Sequence, residues 1–206
     1  MRISVITVCF NAAATLTDAV QSVLSQVPSP EASFDLEYIV VDGGSTDGTL
    51  DVLAPFRDRI ATLISEPDHG LYDAMNKGIR AATGDVVAIL NADDVYASTD
   101  VLARVTHAFT ASGTDAVYGD LNYVAADDLS RVTRRWRSGA CSPGAFRRGW
   151  MPPHPSLFVR RSCYLRWGMF NLSLRSAADY ELMLRFIHRH GMTCLLYTSP
   201  SPRDRG

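Results

Sequence analysis

The 206 residues are 47% hydrophobic and 20% charged, ordinary globular proportions that supply one substantial core and make a single domain, with at most a small lobe, the expectation. A net charge of −2 excludes the overall basic field that gathers nucleic acid. No apolar run approaches the roughly 20 residues of a spanning helix, no secretory leader is expected, and four cysteines (Cys9, Cys141, Cys163, Cys194) without a C-x-x-C pair disfavour a zinc site or disulfide scaffold and suit a reducing cytoplasm.

"RISVITVCF" opens the chain as a continuous apolar, β-branched run ending at Asn11, the pattern of a strand buried on both faces. "TLTDAVQSVLSQ" follows with Leu16, Ala19, Val20, Val23 and Leu24 at helical spacing, and Pro28 and Pro30 stop it. "LEYIVVD" is a second strand, "TDGTLDVLAPF" a second helix and "ATLISE" a third strand. "GLYDAMNKGIRAA" is a third helix with Leu71, Met75, Ile79 and Ala82 along one stripe, and Gly84 is expected to close it. "DVVAILN" is a fourth strand and "DVLARVTHAFTAS" a fourth helix.

This alternation predicts a three-layer α/β/α sandwich around a mostly parallel, Rossmann-like sheet. Ligands on such sheets gather beyond the carboxyl ends of the strands, where three polar clusters fall: Asn11, "DGGSTDGT" and "NADD". After Ser112 the pattern is mixed. "DAVYGDLNYVAADD" reads as strand, bend, strand; Arg131 to Arg137 and "HPSLFVRR" read as strands; "DYELMLRFIHRHG" reads as a last helix closed by Gly191. This half is expected to cover one sheet edge, where an acceptor would bind.

"DGGSTDGT", Asp42 to Thr49, lacks the lysine of a P-loop and the spacing of G-x-G-x-x-G, so neither an ATPase nor a typical dinucleotide fold is favoured. Asp42, at a strand end, suits ligand N–H or O–H groups; Asp47 suits a turn that caps the next helix. In "PDHGLYDAMNKG", Asp73 and Asn76 stand at i and i+3 on one helical face, which capping by Asp68 or His69 does not explain. "NADD" places two carboxylates side by side. Hard divalent cations take carboxylate oxygens and complete their shell with substrate phosphates, although exposed Asp pairs in turns are also common.

Together these motifs resemble the family 2 glycosyltransferases of the GT-A fold, particularly the bacterial branch that builds polysaccharides. The resemblance rests on "SVITVCFNAAATL", "VVDGGSTDGT", "DHGLYDAMNKGI", "GDVVAILNADD", "VYGD" and "AADYELMLR", in the family's order up to Thr193. It implies a glycosyltransferase domain over residues 1–193. "CLLYTSPSPRD" resembles a sequencing adapter read through as coding DNA, so residues 194–206 are expected to be a non-native tail on a domain cut short.

The resemblance further implies that Thr7, Cys9 and Asn11 line the nucleotide pocket and that Asp42 bonds the base or ribose. Asp73, Asn76 and Lys77 would frame nucleotide and sugar, Asp93 would face ribose or sugar, and Asp94 would hold Mn²⁺ or Mg²⁺. Asp179 matches the family's catalytic base, with Glu181 as fallback, and His154 matches a recurrent acceptor-side histidine. Each late residue also has a plain structural reading: Asp179 as a helix cap, His154 in a proline-flanked turn, Trp136 and Trp150 in core packing rather than on a sugar.

The implied reaction is inverting transfer from a nucleotide-diphospho-sugar to a glycan or lipid-linked glycan, in exopolysaccharide biosynthesis. A base would activate the acceptor hydroxyl and the transition state would have oxocarbenium character. The basic stretches "RVTRRWR" and "FRRGW" read as a solvated face, or as a surface for an anionic substrate or anionic membrane. The expected location is the cytoplasm, with peripheral contact at the inner membrane face. The rival readings are a nucleotide-sugar-binding protein without transfer activity, and a phosphotransferase or phosphatase, which would need an aspartate nucleophile that the first strand lacks.

Overall fold

The apolar runs form the inner strands of a twisted sheet. The structure, a computed structural model, describes residues 1–141, 144–146 and 149–197. Its main sheet takes β1 (Arg2–Cys9), β2 (Asp35–Asp42), β3 (Thr62–Ser65), β4 (Val86–Asn91), β5 (Ala116–Tyr118), β8 (Leu157–Arg160) and β9 (Cys194–Leu196), in the order β3-β2-β1-β4-β8-β5-β9. All neighbours pair in parallel except at β8, which runs against both β4 and β5.

Strand alternation divides the core into two. Ile3 and Val5 of β1, Tyr38 and Val40 of β2 and Val86, Ala88 and Leu90 of β4 face one helical layer. That layer holds α1 (Leu16–Leu24), α2 (Thr49–Leu53) and α4 (Val101–Ser112). Ile6, Val8, Ile39, Val41, Val87 and Ile89 face the other, made by α3 (Leu71–Ala81), α5 (Arg161–Trp167) and α6 (Ala178–Met183). The three-layer expectation therefore holds, as it must where central strands are apolar on both faces.

Several boundaries differ from the sequence pattern. α2 is short and passes into a 3-10 turn over Ala54–Arg59, because Pro55 has no N–H to continue the α-helical ladder. α3 ends at Ala81, before Gly84. Gly84 is needed for close approach instead: a Cβ there would stand 2.6 Å from Ser4 Oγ and 2.8 Å from Ser4 N. "HPSLFVRR" is not one strand. His154–Ser156 is a 3-10 turn, and Arg161 already begins α5. The last helix is α6 followed by a wider π turn over Leu184–Arg189.

Beneath α3, Glu37 organises a buried polar knot. It accepts hydrogen bonds from Ser4 Oγ (2.5 Å), Thr83 N (2.7 Å), Thr83 Oγ1 (2.6 Å), Gly84 N (3.2 Å) and Arg2 (3.1 Å). Burial alone would raise its carboxyl; these donors outweigh it and hold Glu37 below the usual carboxylate range. Its stabilisation is present above the unfolded carboxylate range and is lost as pH falls through the lower folded value. Glu37→Ala would strand the Thr83 and Gly84 donors, so chemical denaturation should show a loss of about 2–4 kcal/mol.

β6 (Leu121–Ala125) and β7 (Asp128–Trp136) form a separate two-stranded ribbon, exposed along most of its length. It carries Arg131, Arg134 and Arg135 of the first basic stretch; in the second, Arg147 and Arg148 lie outside the described residues. β9 pairs with β5 from Ala116–Cys194 to Tyr118–Leu196, so the start of the segment set apart as a tail lies on the sheet edge. Residues 198–206 of that segment lie outside the described residues. Among the described residues no helix is long and apolar enough to cross a membrane.

Candidate active site

The registers Cys9–Asp42, Val8–Asn91 and Asp42–Ser65 bring the carboxyl ends of β1, β2, β3 and β4 to one edge of the sheet. The loops there are stitched together. Asn11 N–H donates to Ser45 Oγ (2.8 Å), Thr46 N–H donates to Asn11 Oδ1 (3.0 Å), and Ala13 N–H donates to Asp47 (3.1 Å). Asn11 sits at φ +49°, a left-handed conformation that asparagine tolerates better than most residues.

Asp42 is fully buried and anchors this loop. Its carboxylate accepts from Gly44 N (3.2 Å), Ser45 N, Ser45 Oγ and Ser65 Oγ (2.8 Å). It therefore shares with Asp47, which accepts from Thr49 N (3.0 Å), the turn-holding task that the sequence assigned to Asp47 alone. Thr7 is buried against the helical layer and accepts a bond from Tyr38 (3.0 Å). Cys9 is buried beside Asp42; burial first, and the Asp42 charge second, push its thiol up to about 12.

α3 starts beside that edge and fastens the loop preceding it. Asp73 accepts from His69 N (3.1 Å), and Lys77 Nζ reaches Pro67 O (2.9 Å), Glu66 (2.9 Å) and Asp73 (3.9 Å). Asn76, almost one turn further along, reaches a different loop. Its amide donates to Phe170 O (2.9 Å) and accepts from Phe170 N (2.9 Å), docking the segment after α5 onto α3. The face shared by Asp73 and Asn76 thus serves two loops, one early and one late in the chain.

The Asp pair follows β4. Asp93 is exposed and Asp94 partly buried, with Asp94 accepting from Asn91 Nδ2 (2.9 Å). Burial, then the charge of Asp93, hold the Asp94 carboxyl above the usual range against the pull of Asn91. Asn91 Oδ1 is buried without a partner. Among the described residues no group of three or more His, Cys, Asp and Glu could hold a metal. A raised acid beside a second carboxylate fits a cation site completed by substrate phosphates, and does not fit a closed protein cage.

The late residues gather around the start of α3. Tyr72 donates to Asp179 Oδ1 (3.1 Å), and its ring stacks on Phe170 at 5.5 Å and 22°. His154 meets Phe170 edge-on at 5.7 Å. Burial lowers the His154 ring below the usual histidine value, while the Asp179 charge pulls it up, so the two side chains share one field. Ala177, just before α6, takes φ +63°, and Asp179 lies in the first helical turn. Glu181 stands apart from this group. Arg185 grips it at 2.8 and 3.1 Å and also binds the Met169 carbonyl (2.7 Å), an arrangement that fixes the loop after α5. Trp150 packs edge-on against Tyr118 and Phe146, in keeping with a core role.

Tyr72 and Phe170 are the residues that sequence reasoning missed. The i, i+4 spacing of Tyr72 and Asn76 was the available signal, but nothing in the chain pointed to Phe170 as their common target.

Fold and site together define an α/β domain whose polar loops crowd the carboxyl end of a mostly parallel sheet. The profile of Glycosyl transferase family 2 matches residues 4–176. A PGL/p-HBAD biosynthesis glycosyltransferase of Mycobacterium bovis (strain BCG / Pasteur 1173P2) is 33% identical over 194 residues, covering 88% of this chain and 68% of that protein. An uncharacterized glycosyltransferase of Mycobacterium tuberculosis (strain CDC 1551 / Oshkosh) is 34% identical over 190 residues, 89% of this chain and 68% of its relative.

Among solved structures, S. aureus TarS 1-349 in complex with UDP superposes with TM-score 0.71 at 19% identity, over 99% of this chain and 62% of that one. The mannosyltransferase PcManGT from Pyrobaculum calidifontis, in complex with GDP-Man and Mn2+, superposes with TM-score 0.65 at 21% identity, over 100% of this chain and 58% of that one. The chain belongs to glycosyl transferase family 2, with the GT-A fold. It spans about two thirds of the length of the curated relatives it matches.

Proposed function

We propose that the protein transfers a sugar, with inversion, from a nucleotide-diphospho-sugar to a glycan or lipid-linked glycan acceptor in cell-surface polysaccharide assembly. The observation that carries the reading is the hydrogen bond by which Tyr72, at the start of α3, holds Asp179, whose charge also reaches His154. The similar structures in complex with UDP and with GDP-Man and Mn2+ support a nucleotide-sugar donor.

In this reading the donor lies over the ends of β1, β2 and β4, with Asn11 and Asp42 fixing the loops beneath the nucleotide. Asp94 would hold Mn²⁺ or Mg²⁺, and Asp93 would face the ribose or sugar. When bound, such an ion neutralises charge on the departing diphosphate. Asp179 takes the proton of the acceptor hydroxyl as its oxygen bonds to the anomeric carbon. The bond from that carbon to the diphosphate oxygen breaks on the opposite face, and the configuration inverts. A carboxylate is suited to this task because the hydroxyl is a poor nucleophile until its proton has a place to go.

The acceptor would approach over the β6–β7 ribbon, where Arg134 lies over the Tyr123 ring at 5.3 Å and Arg135 is exposed. That ribbon also suits peripheral contact with an anionic inner-membrane surface. The test is to incubate purified protein with Mn²⁺ and UDP-, GDP- or dTDP-sugars and measure release of the nucleoside diphosphate. Turnover of at least one donor is expected. Saturable binding without release would favour a nucleotide-sugar-binding protein and overturn the transferase reading.

A further inference from the structure

We propose that Tyr72 is a positioning residue for Asp179: its hydroxyl fixes one carboxylate oxygen so that the other is presented to the acceptor. The inference rests on the role proposed above for Asp179. Three observations carry it.

The first is the contact itself, Tyr72 OH to Asp179 Oδ1 at 3.1 Å, between residues 107 positions apart. A carboxylate held at one oxygen has lost its freedom to rotate, and the reaction needs only the other oxygen as proton acceptor.

The second is how firmly the tyrosine is held. Its ring stacks on Phe170 at 5.5 Å and 22°, and Phe170 is itself fixed through both backbone groups by Asn76. Tyr72 and Asn76 are one helical turn apart on α3, so a single helix face holds both the ring that Tyr72 stacks on and the hydroxyl that Asp179 accepts from.

The third is the weakness of Asp179's own support. Its helix has six residues, follows the left-handed Ala177, and passes directly into a π turn. An element so short does not fix a side chain by itself, and the anchor comes from α3, 107 positions earlier in the chain. Because α3 also fastens the loop over residues 66–70 at the donor side, the same helix sets the base and the donor loop in one frame.

Tyr72→Phe removes the hydroxyl and keeps the stacked ring. With the sugar nucleotide that the wild type turns over, kcat should fall about tenfold, the rate equivalent of one hydrogen bond. Donor KM should not change, and the thermal midpoint should fall by no more than the few degrees that one hydrogen bond is worth. In the Asp179→Asn background, adding Tyr72→Phe should cost nothing further, because the oxygen being positioned no longer acts as a base. Full kcat in Tyr72→Phe, a kcat loss accounted for by unfolding at the assay temperature, or the same tenfold loss persisting on top of Asp179→Asn would each overturn the proposal. Failure of the parent reading looks different: the wild type releases no nucleotide, or Asp179→Asn alone keeps wild-type turnover.

Discussion

Asp179→Asn should leave donor affinity within about twofold of wild type and lower turnover by roughly 10²–10⁴-fold, the range expected when a positioned general base is removed. The amide keeps the shape of the carboxylate and can still accept the Tyr72 hydroxyl bond, so the packing of Tyr72, Phe170 and His154 is preserved. What is lost is a site for the acceptor's proton. Single-turnover measurement of sugar release, beside equilibrium binding of the same nucleotide-sugar, separates the two quantities. Undiminished turnover with intact binding would remove Asp179 as the base. His154 shares its field but is held toward the neutral form by burial, and it would then be the next residue to replace.

Asp94→Asn should act in opposite directions on function and on stability. The folded protein holds the Asp94 carboxyl above its ordinary range, through burial first and the Asp93 charge second. A raised acid contributes stability that is present at low pH and lost as pH rises through the folded value. Near neutrality Asp94 is therefore an unfavourable charge that a neutral amide avoids. In EDTA at pH 7 the Asn variant should melt at a higher temperature than wild type, and the difference should close as pH falls toward the unfolded value of 3.8. With Mn²⁺ and donor present the order should reverse, since replacing a ligand should cost about 100-fold or more in metal-dependent donor affinity. Tight Mn²⁺-dependent binding by the variant would exclude the metal role, and a lower melting temperature in EDTA would show that the Asp pair is structural.

The two predictions differ in how far the sequence alone could reach them. The adjacent acids of "NADD" were legible because they follow a fully apolar strand, and strand ends in a parallel sheet collect ligands. Asp179 was legible only through resemblance, since one acid at the start of a helix is indistinguishable from a cap. The candidate nucleotide residues could be named from the motifs, but their surroundings could not. Asp42 reads from the chain as a free strand-end acceptor, yet the fold surrounds it with Gly44, Ser45 and Ser65. Glu181 reads as a second base, yet Arg185, one turn later, pairs with it. Asn76 reads as a donor-frame residue, yet its amide is closed onto Phe170 from 94 positions away.

The sequence by itself determined the layered α/β architecture, the strand ends where polar residues gather, and the family. These follow from periodicity and local motifs, because runs such as "VITV" and "VVAIL" can satisfy their backbone and bury both faces only inside a sheet covered on two sides. Tertiary structure alone decided which acids are held by neighbours and which stay exposed, and it brought Tyr72, Phe170 and His154 around Asp179. The physical reason is that hydrogen-bond and ring contacts between α3, the loop after α5 and α6 form only when distant segments pack, and no spacing along the chain encodes them.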